Sequence, residues 1–441
     1  MTFKNIFPIF TNSILFKLYV GGRFINHKNG KNNIIFNTLF AGIAGGLAVL
    51  VVVIGVMNGF QNNYITRRVE VGSYHAVITH KKGISAYKKI VDDIYKNIPE
   101  IEAAVPHSDR EVIILFKNRA NSDKQPIKLR AIDTNELQKD SGFLKYCKIV
   151  RGDFNLDNDS ILLGEELGWR QINYAKQGNL VYITPDVSIG SLKNEGLPFK
   201  VKGYFNTGSY DYDRYWVFIG LNAFHTLTGN KNVDSIGLKF KAKVNRKEVI
   251  SRLKKSLPDD LVIRDASEIN KGYFAALKLE KTMISFLFLI IFIMVCVNIY
   301  GALKLTILEK KESILILKAI GLQPSDIEII FLLESILLAF GGTAVGLIIG
   351  VFVSLNILSI FAVIEYCING LLYIALPAEV FNPVKLYDTS IYYQTDLLVK
   401  FYPHELATAV FALIIMTIVS ALIPIFKASR IRPNEINRTV L

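Results

Sequence analysis

Four stretches of this chain carry no Asp, Glu, Lys or Arg over lengths sufficient to cross a bilayer. Ile34–Thr66 is uncharged for 33 positions, Thr282–Leu303 for 22, Ser335–Ile364 for 30 and 406–426 for 21. A hydrocarbon core needs roughly 20 apolar residues of helix, so spans are predicted over 34–59, 279–303, 329–364 and 406–426. The composition agrees, being 51% hydrophobic with a mean hydropathy of +0.32, and the apolar residues are concentrated rather than spread. The first run is too long for a signal-peptide core and lacks a small-residue cleavage site, so it reads as an uncleaved anchor. The third carries Glu334 near one end and glycines at 341, 342, 346 and 350, a pattern that lets another helix approach closely.

Loop charge predicts orientation. Residues 1–33 hold five Lys/Arg and no acid, 304–328 four Lys, and 427–441 four Lys/Arg against one Glu, whereas 365–405 hold two Lys and five acids. The positive-inside rule then places both termini and 304–328 in the cytoplasm, with 60–278 and the loop 365–405 outside. Residues 1–33 mix lysines with Ile6, Phe7, Ile9, Phe10, Ile14, Leu15, Phe16 and Leu18, which suits a cytoplasmic interfacial helix. Residues 427–441 form a cytoplasmic tail.

Residues 60–278 are too long and too polar for a loop, so a folded domain is expected. Alternation and turn signals predict strands at Tyr74–His80, Glu111–Phe116 and Ile127–Ile132 and a helix at Ser85–Ile98. The far edge adds strands at Ser235–Lys241 and Leu261–Arg264 around a helix at Asn245–Leu257. Short strands fill the middle, at Asn179–Thr184, Phe199–Tyr204 and Tyr215–Ile219. The expected fold class is an α-helical membrane protein with four transmembrane helices plus an α+β extracytoplasmic domain, an α/β subdomain with an inserted β-rich subdomain. Pro185–Pro198 forms a turn-rich excursion in which Val187, Ile189, Leu192 and Leu197 are candidate contacts for a partner.

Several functions find no residues to carry them. Net charge is +13 and residues 61–278 hold 35 Lys/Arg against 26 Asp/Glu. That excess is dispersed, without a compact basic block and interleaved aromatics, so nucleic-acid binding is not expected. The six histidines show no ligand spacing, and Cys147, Cys296 and Cys367 form no CxxC, so no metal site is expected. Asp211 and Asp213 read as turn or strand residues, with no third group to complete an acid–base constellation. Neither a GxSxG elbow nor a GxxxxGK[ST] phosphate loop occurs. No catalytic residue is assigned, and any ATP would bind another chain.

The segment 304–328 is a charged helix fixed at both ends by spans, yet its Ser313–Ile320 part, SILILKAI, is too apolar to be solvated all round. It reads as a helix that docks on a soluble partner. Glu309 and Glu312, three apart, would share a helix face. Gly321 suits a left-handed helix end and Pro324 the first turn of the next helix.

This layout, one span, a large external domain and three further spans with a charged hairpin, resembles the type VII ABC permeases of the MacB/FtsX/Lol group. Val56-Met57-Asn58-Gly59-Phe60 resembles the VMNGF motif of the lipoprotein-releasing permeases LolC and LolE. Thr207–Asp213 resembles their TG-x-Y-E/D-x-D segment, and Leu279-Glu280-Lys281 with Met283 their L/M-E-K-x-M. Glu309 through Gly321 is similar to their EK-x-x-E-I-x-x-L-x-x-x-G coupling segment, and Glu334 to an acid early in the third span. The C-terminal Ile423-Pro424, Lys427-Ala428 and Arg432-Pro433 resemble YP-x-x-x-A-x-x-x-x-P. Ile423 departs from the usual aromatic, and Ser335 stands where glycine often follows the acid.

The resemblance implies a permease of the cell inner membrane that extracts acylated lipoproteins from the outer leaflet and releases them to a periplasmic carrier. It implies a Lol-type ABC ATPase dimer as partner, binding ATP and Mg, and a second permease subunit, the same or a related chain. Glu309, Glu312, Ile316, Leu317, Ile320 and Gly321 would then couple to the ATPase. Val56, Met57, Asn58 and Phe60 would line the lipoprotein cavity entrance, and Val187, Ile189, Leu192 and Leu197 would meet the carrier. An FtsX-like mechanotransmission permease that controls a cell-wall hydrolase is the alternative within the same class.

Overall fold

A computed structural model describes residues 30–117, 122–154, 156–172, 180–184, 196–258, 260–375, 377, 382–387 and 399–430. The chain divides into two compact units, one of Met1–Phe60, Lys278–Tyr387 and Leu397–Leu441, the other of Gln61–Leu277 and Asp388–Asp396. The predicted interfacial segment 1–33 lies outside the described residues except at 30–33, where the first helix begins.

Hydrophobic helices dominate the first unit: α1 Gly30–Arg67, α2 Lys271–Glu309, α3 Lys311–Ala319, α4 Pro324–Leu355, α5 Ile357–Ala375 and α6 Pro403–Ser429. Residues 61–67 of α1 and 271–277 of α2 belong to the second unit. Five of these six helices, all but α3, are long and apolar enough to cross a membrane by length and composition. The extra one arises because the expected third span, 329–364, breaks at Asn356. That residue leaves helical geometry (φ −108°, ψ 17°), and its side-chain amide donates to Phe352 O at 2.8 Å. A side chain that hydrogen-bonds the nearby backbone competes with helix continuation.

Small residues set the packing of α1 on α4. A Cβ on Gly346 would lie 2.6 Å from the Ala44 carbonyl oxygen, one on Gly350 2.9 Å from that of Ala48, and one on Gly342 2.8 Å from Ile43 Cγ2. The glycine spacing read from the sequence thus brings two backbones together. The paired positions rise together along both helices, so α1 and α4 run parallel. The chain just before α6 meets α1 at Gly55, where the Lys400 N–H donates to Gly55 O at 3.0 Å. The far end of α6 meets α3, where Lys318 Nζ donates to Ser429 O at 2.6 Å, so α6 runs antiparallel to α1. No residue of α5 is buried, and Glu365 and Asn369, one turn apart, hold the segment 384–387: Glu365 Oε1 accepts the N–H of Leu386 at 2.6 Å, and Asn369 exchanges hydrogen bonds with Val384 at 2.8 and 3.0 Å.

The second unit is a polar domain built on one ten-stranded sheet: β1 Ala76–Ile84, β2 Ile101–Lys117, β3 Ser122–Ile132, β4 Lys148–Gly152, β5 Ser160–Gly164, β6 Leu180–Thr184, β7 Leu197–Asn206, β8 Trp216–Gly220, β9 Val233–Phe240 and β10 Val262–Asp265. Strand order is β10-β1-β9-β2-β3-β8-β5-β7-β4, with β6 against β2 and β7. The two chain edges meet as expected, β1 pairing with β9 and β10. Helices Tyr87–Asn97 and Arg246–Ser256 bury Val91, Ile94, Val249 and Leu253 in the core. The middle strands differ from the expectation of a separately inserted subdomain. They continue the same sheet through a parallel register of β3 with β8, Lys128↔Trp216 to Ile132↔Gly220. Strand β2 starts ten residues earlier than read from Glu111, because it pairs with β9 before His107 and with β3 after it.

Candidate functional site

The segment that joins α2 to α4 is a fixed corner. Lys310 (φ −92°, ψ 9°) interrupts the helix between Glu309 and Lys311. Glu309 and Glu312, expected on one helix face, therefore flank a bend, and both are exposed. The C-terminus of α3 closes on Gly321 (φ 110°), whose N–H donates to Lys318 O at 3.0 Å while the Leu322 N–H donates to Leu317 O at 3.1 Å. These two bonds make a Schellman end, which favours glycine at its left-handed residue. Two residues on, Gln323 and Asp326 form a capping box around Pro324 in the first turn of α4.

The faces of α3 differ. Ile314 and Leu315 are buried, whereas Ile316 and Ile320 are 59% and 52% exposed. Leu317 is half-buried, and Glu312 and Gly321 are exposed. The candidate coupling residues thus lie together on the outward side of the corner. The inward side carries two lysine ties. Lys310 Nζ lies 3.4 Å from Glu334 Oε1 with both side chains buried, and Lys318 reaches the Ser429 carbonyl that ends α6.

Val56–Phe60, expected at a cavity entrance, lies at the other end of the bundle. Asn58 is buried, and its amide donates to Glu405 Oε2, while Glu405 Oε1 accepts from Lys281 Nζ. One carboxylate at the head of α6 thus joins the VMNGF segment of α1 to the LEK segment of α2. Gly55 makes room for this, since a Cβ there would lie 2.5 Å from the Phe401 ring. Val56, Met57 and Phe60 are half-buried. Glu405 went unassigned in the sequence, where the one signal was an acid opening a charge-free run.

In the polar domain, α1 ends in a π-helical turn, Arg68–Ser73. Its carbonyls meet two buried cations: Lys239 Nζ donates to Glu70 O at 2.8 Å, and Arg130 Nη1 donates to Val71 O at 3.1 Å and Gly72 O at 2.6 Å. Arg130 also grips Asp109 with two bonds, 2.7 and 2.8 Å, and Lys239 pairs with the Glu70 carboxylate. Arg67 donates to Thr207 O, and Arg68 donates to Asn270 Oδ1 at 2.9 Å with its guanidinium 4.7 Å over the Tyr273 ring.

Thr207–Asp213 is built around its last residue. Asp213 Oδ1 accepts from both the N–H and the hydroxyl of Thr207 at 2.8 Å, across the left-handed Gly208 (φ 66°). The side chain is fully buried and its Oδ2 has no hydrogen-bond partner. Burial pushes Asp213 up to about 7 against the pull of the Thr207 bonds. Asp109 goes the other way, because the Arg130 guanidinium outweighs burial and holds it well below the usual carboxylate range. Burial lowers His107 to about 4.

Val187, Ile189 and Leu192 lie outside the described residues, and Leu197 opens β7 with its side chain exposed. Among the described residues no three His, Cys, Asp or Glu side chains form a metal-binding group. Cys147, Cys296 and Cys367 are free thiols.

Comparison with known proteins places this architecture. The FtsX-like permease C-terminal family matches residues 284–433 and the MacB-like periplasmic core domain family residues 39–256. The class is therefore an FtsX-like ABC permease with a MacB-like core domain. Among curated relatives, the lipoprotein-releasing system transmembrane protein LolC of Xylella fastidiosa is 24% identical over 424 residues, covering 94% of this chain and 97% of the relative. That of Neisseria meningitidis is 27% identical over 383 residues, covering 82% and 89%. Within that class the chain is similar over most of its length to the LolC proteins, at 24–27% identity. The periplasmic region of MacB from Actinobacillus actinomycetemcomitans aligns at 14% identity and a TM-score of 0.33, covering 47% of this chain and 95% of that one.

Proposed function

We propose that this chain is the permease subunit of an ABC transporter that extracts acylated lipoproteins from the outer leaflet of the inner membrane and releases them to a periplasmic carrier. Its partners are a Lol-type ATPase dimer, which binds and hydrolyses ATP with Mg, and a second permease subunit. An acyl chain holds its membrane position by about 0.8 kcal/mol per buried CH₂, so removing two or three chains requires both an energy source and a receiving apolar surface. The observation that carries the reading is the outward face of α3, where Glu312, Ile316 and Ile320 stand exposed on a corner capped at both ends. An amphipathic helix of this kind fits an apolar groove on a soluble partner.

Four crossings, with both termini cytoplasmic, fit the packing. The connection through α5 leaves the end of α4 that lies beside Ala48 and Val51 of α1, and it returns to Gly55, one turn further along α1, before α6 begins. In this reading α5 lies along the outer surface, its Glu365–Asn369 face turned to segment 384–387. Depletion of the chain in its host tests the function. Accumulation of lipoproteins in the inner membrane is the expected result. Intact sorting with failed cell-wall cleavage would instead favour an FtsX-like role.

A further inference from the structure

A buried charge inside a hydrophobic bundle is costly without a partner, and Glu334 lies one-third of the way along α4 at 3% exposure. Its partner is Lys310, itself buried, the residue that breaks the chain between α2 and α3. The other end of α3 is tied as well, by Lys318 to the Ser429 carbonyl in the last turn of α6. A cation at that carbonyl meets the negative end of the α6 dipole. Between the two ties, Ile314 packs into the hydrophobic core that also holds Ile327 and Phe331 of α4 and Ile425 of α6. Helix α3 thus has a charged tether at each end, each reaching a different long helix, and an apolar contact between them.

We propose that Lys310, Glu334 and Lys318 are positioning residues that make α3 move as one body with the cytoplasmic-side ends of α4 and α6, so that a push on its outward face displaces both helices together. This rests on the reading of α3 as the ATPase-docking helix. It assigns Glu334 the role of an anchor for the docking helix, rather than a group that meets the transported molecule.

The pair permits a clean test, because breaking a buried ion pair on one side is strongly destabilising while replacing both partners with apolar residues is often neutral. The full chain is co-expressed with its ATPase and partner permease, reconstituted in nanodiscs, and assayed for ATP hydrolysis and lipoprotein release in the same sample. The variants are Lys310→Leu, the double Lys310→Leu/Glu334→Leu and Lys318→Met. For the double variant the expected result is a folded complex with ATPase bound, hydrolysis within about twofold of wild type, and release per ATP reduced at least tenfold. For Lys318→Met a smaller loss, about threefold, is expected. Release per ATP at the wild-type level in the double variant overturns the proposal, since the pair would then only fill space, whether or not Lys310→Leu folds. A wild-type chain that retains no ATPase overturns the docking reading itself, and the proposal with it.

Discussion

The base of the polar domain and the α3 corner solve the same problem with different means. Each places cations on the carbonyls that a helix leaves unpaired at its C-terminal end. At the domain base, Arg130 and Lys239 between them hold three successive carbonyls, and Arg130 also takes both oxygens of Asp109. At the corner, Lys318 holds one carbonyl, and the buried Lys310–Glu334 contact leaves Glu334 Oε2 without a hydrogen-bond partner. The base is over-determined, so losing one bond leaves others in place. The corner instead combines its lysine ties with tight turns at Gly321 and Pro324. A segment tied at both ends responds as a unit when pushed, which is what a coupling element requires.

The contrast can be broken most severely at the base. Arg130→Met would leave Asp109 with Lys128 alone, 3.1 Å away, and two carbonyls uncapped, a loss of about 3 kcal/mol, read as a fall in denaturant midpoint of the full chain in detergent. A change below about 1 kcal/mol would show that the base is not held by this network. Next comes a pH effect within the same domain. Asp213 is raised in the folded state to about 7, so the folded form binds a proton that the unfolded chain releases at lower pH. Its contribution is therefore present in full below the unfolded carboxyl value and is lost as pH rises through about 7. Buried His107 opposes this below about pH 6.5, because its lowered value adds stability as pH rises, so the effect is read as a difference between proteins. Relative to Asp213→Asn, the wild type should lose stability between about pH 5 and 7 at about 1.4 kcal/mol per unit, and a difference that does not change with pH would contradict a buried, protonated Asp213.

Smaller effects sharpen the picture of the membrane unit. Gly346→Ala must displace the Ala44 backbone and should cost about 1–3 kcal/mol. Gly301→Ala, with nothing within 4 Å of a new Cβ, should be neutral or stabilise by up to ~1 kcal/mol through helix propensity. Equal losses in thermal stability at the two sites would contradict close α1–α4 packing. Smallest in stability is Glu312→Lys, exposed on α3 and expected within about 0.5 kcal/mol of wild type. Its effect should appear instead as loss of ATPase from the purified complex, and undiminished ATPase recovery would remove α3 from the docking surface.

Much of this was legible before the structure. Uncharged runs located the hydrophobic helices because desolvating a charge dominates every competing term there. Gly321 and Pro324 marked the corner because each restricts the backbone in a way few other residues do. The glycines of α4 announced a close helix approach without naming the partner, which is α1. Asn356 was not read as a break, since an uncharged residue inside an apolar run leaves no trace in a hydropathy pattern. Glu405, Arg130 and Lys239 were missed for a different reason. Each is an ordinary charged residue locally, and its burial arises only when elements far apart in sequence converge. Asp211 and Asp213 read as turn or strand residues but lie in the short helix Tyr210–Tyr215, and the burial of Asp213 depends on the approach of Gly164, where a Cβ would lie 2.0 Å from the Asp213 carbonyl oxygen. The continuity of the ten-stranded sheet rests on the β3–β8 pairing across more than 80 residues of chain, beyond the reach of local alternation.

The central claim is that a push on α3 drives release of an acylated protein on the opposite side of the membrane. The most direct measurement reconstitutes the chain with its ATPase and partner permease in proteoliposomes loaded with a diacylated lipoprotein, adds a soluble lipoprotein carrier, and follows transfer to the carrier. ATP-dependent transfer that is lost with Glu312→Lys is the predicted result. ATP hydrolysis without transfer, or transfer unaffected by that substitution, would contradict it.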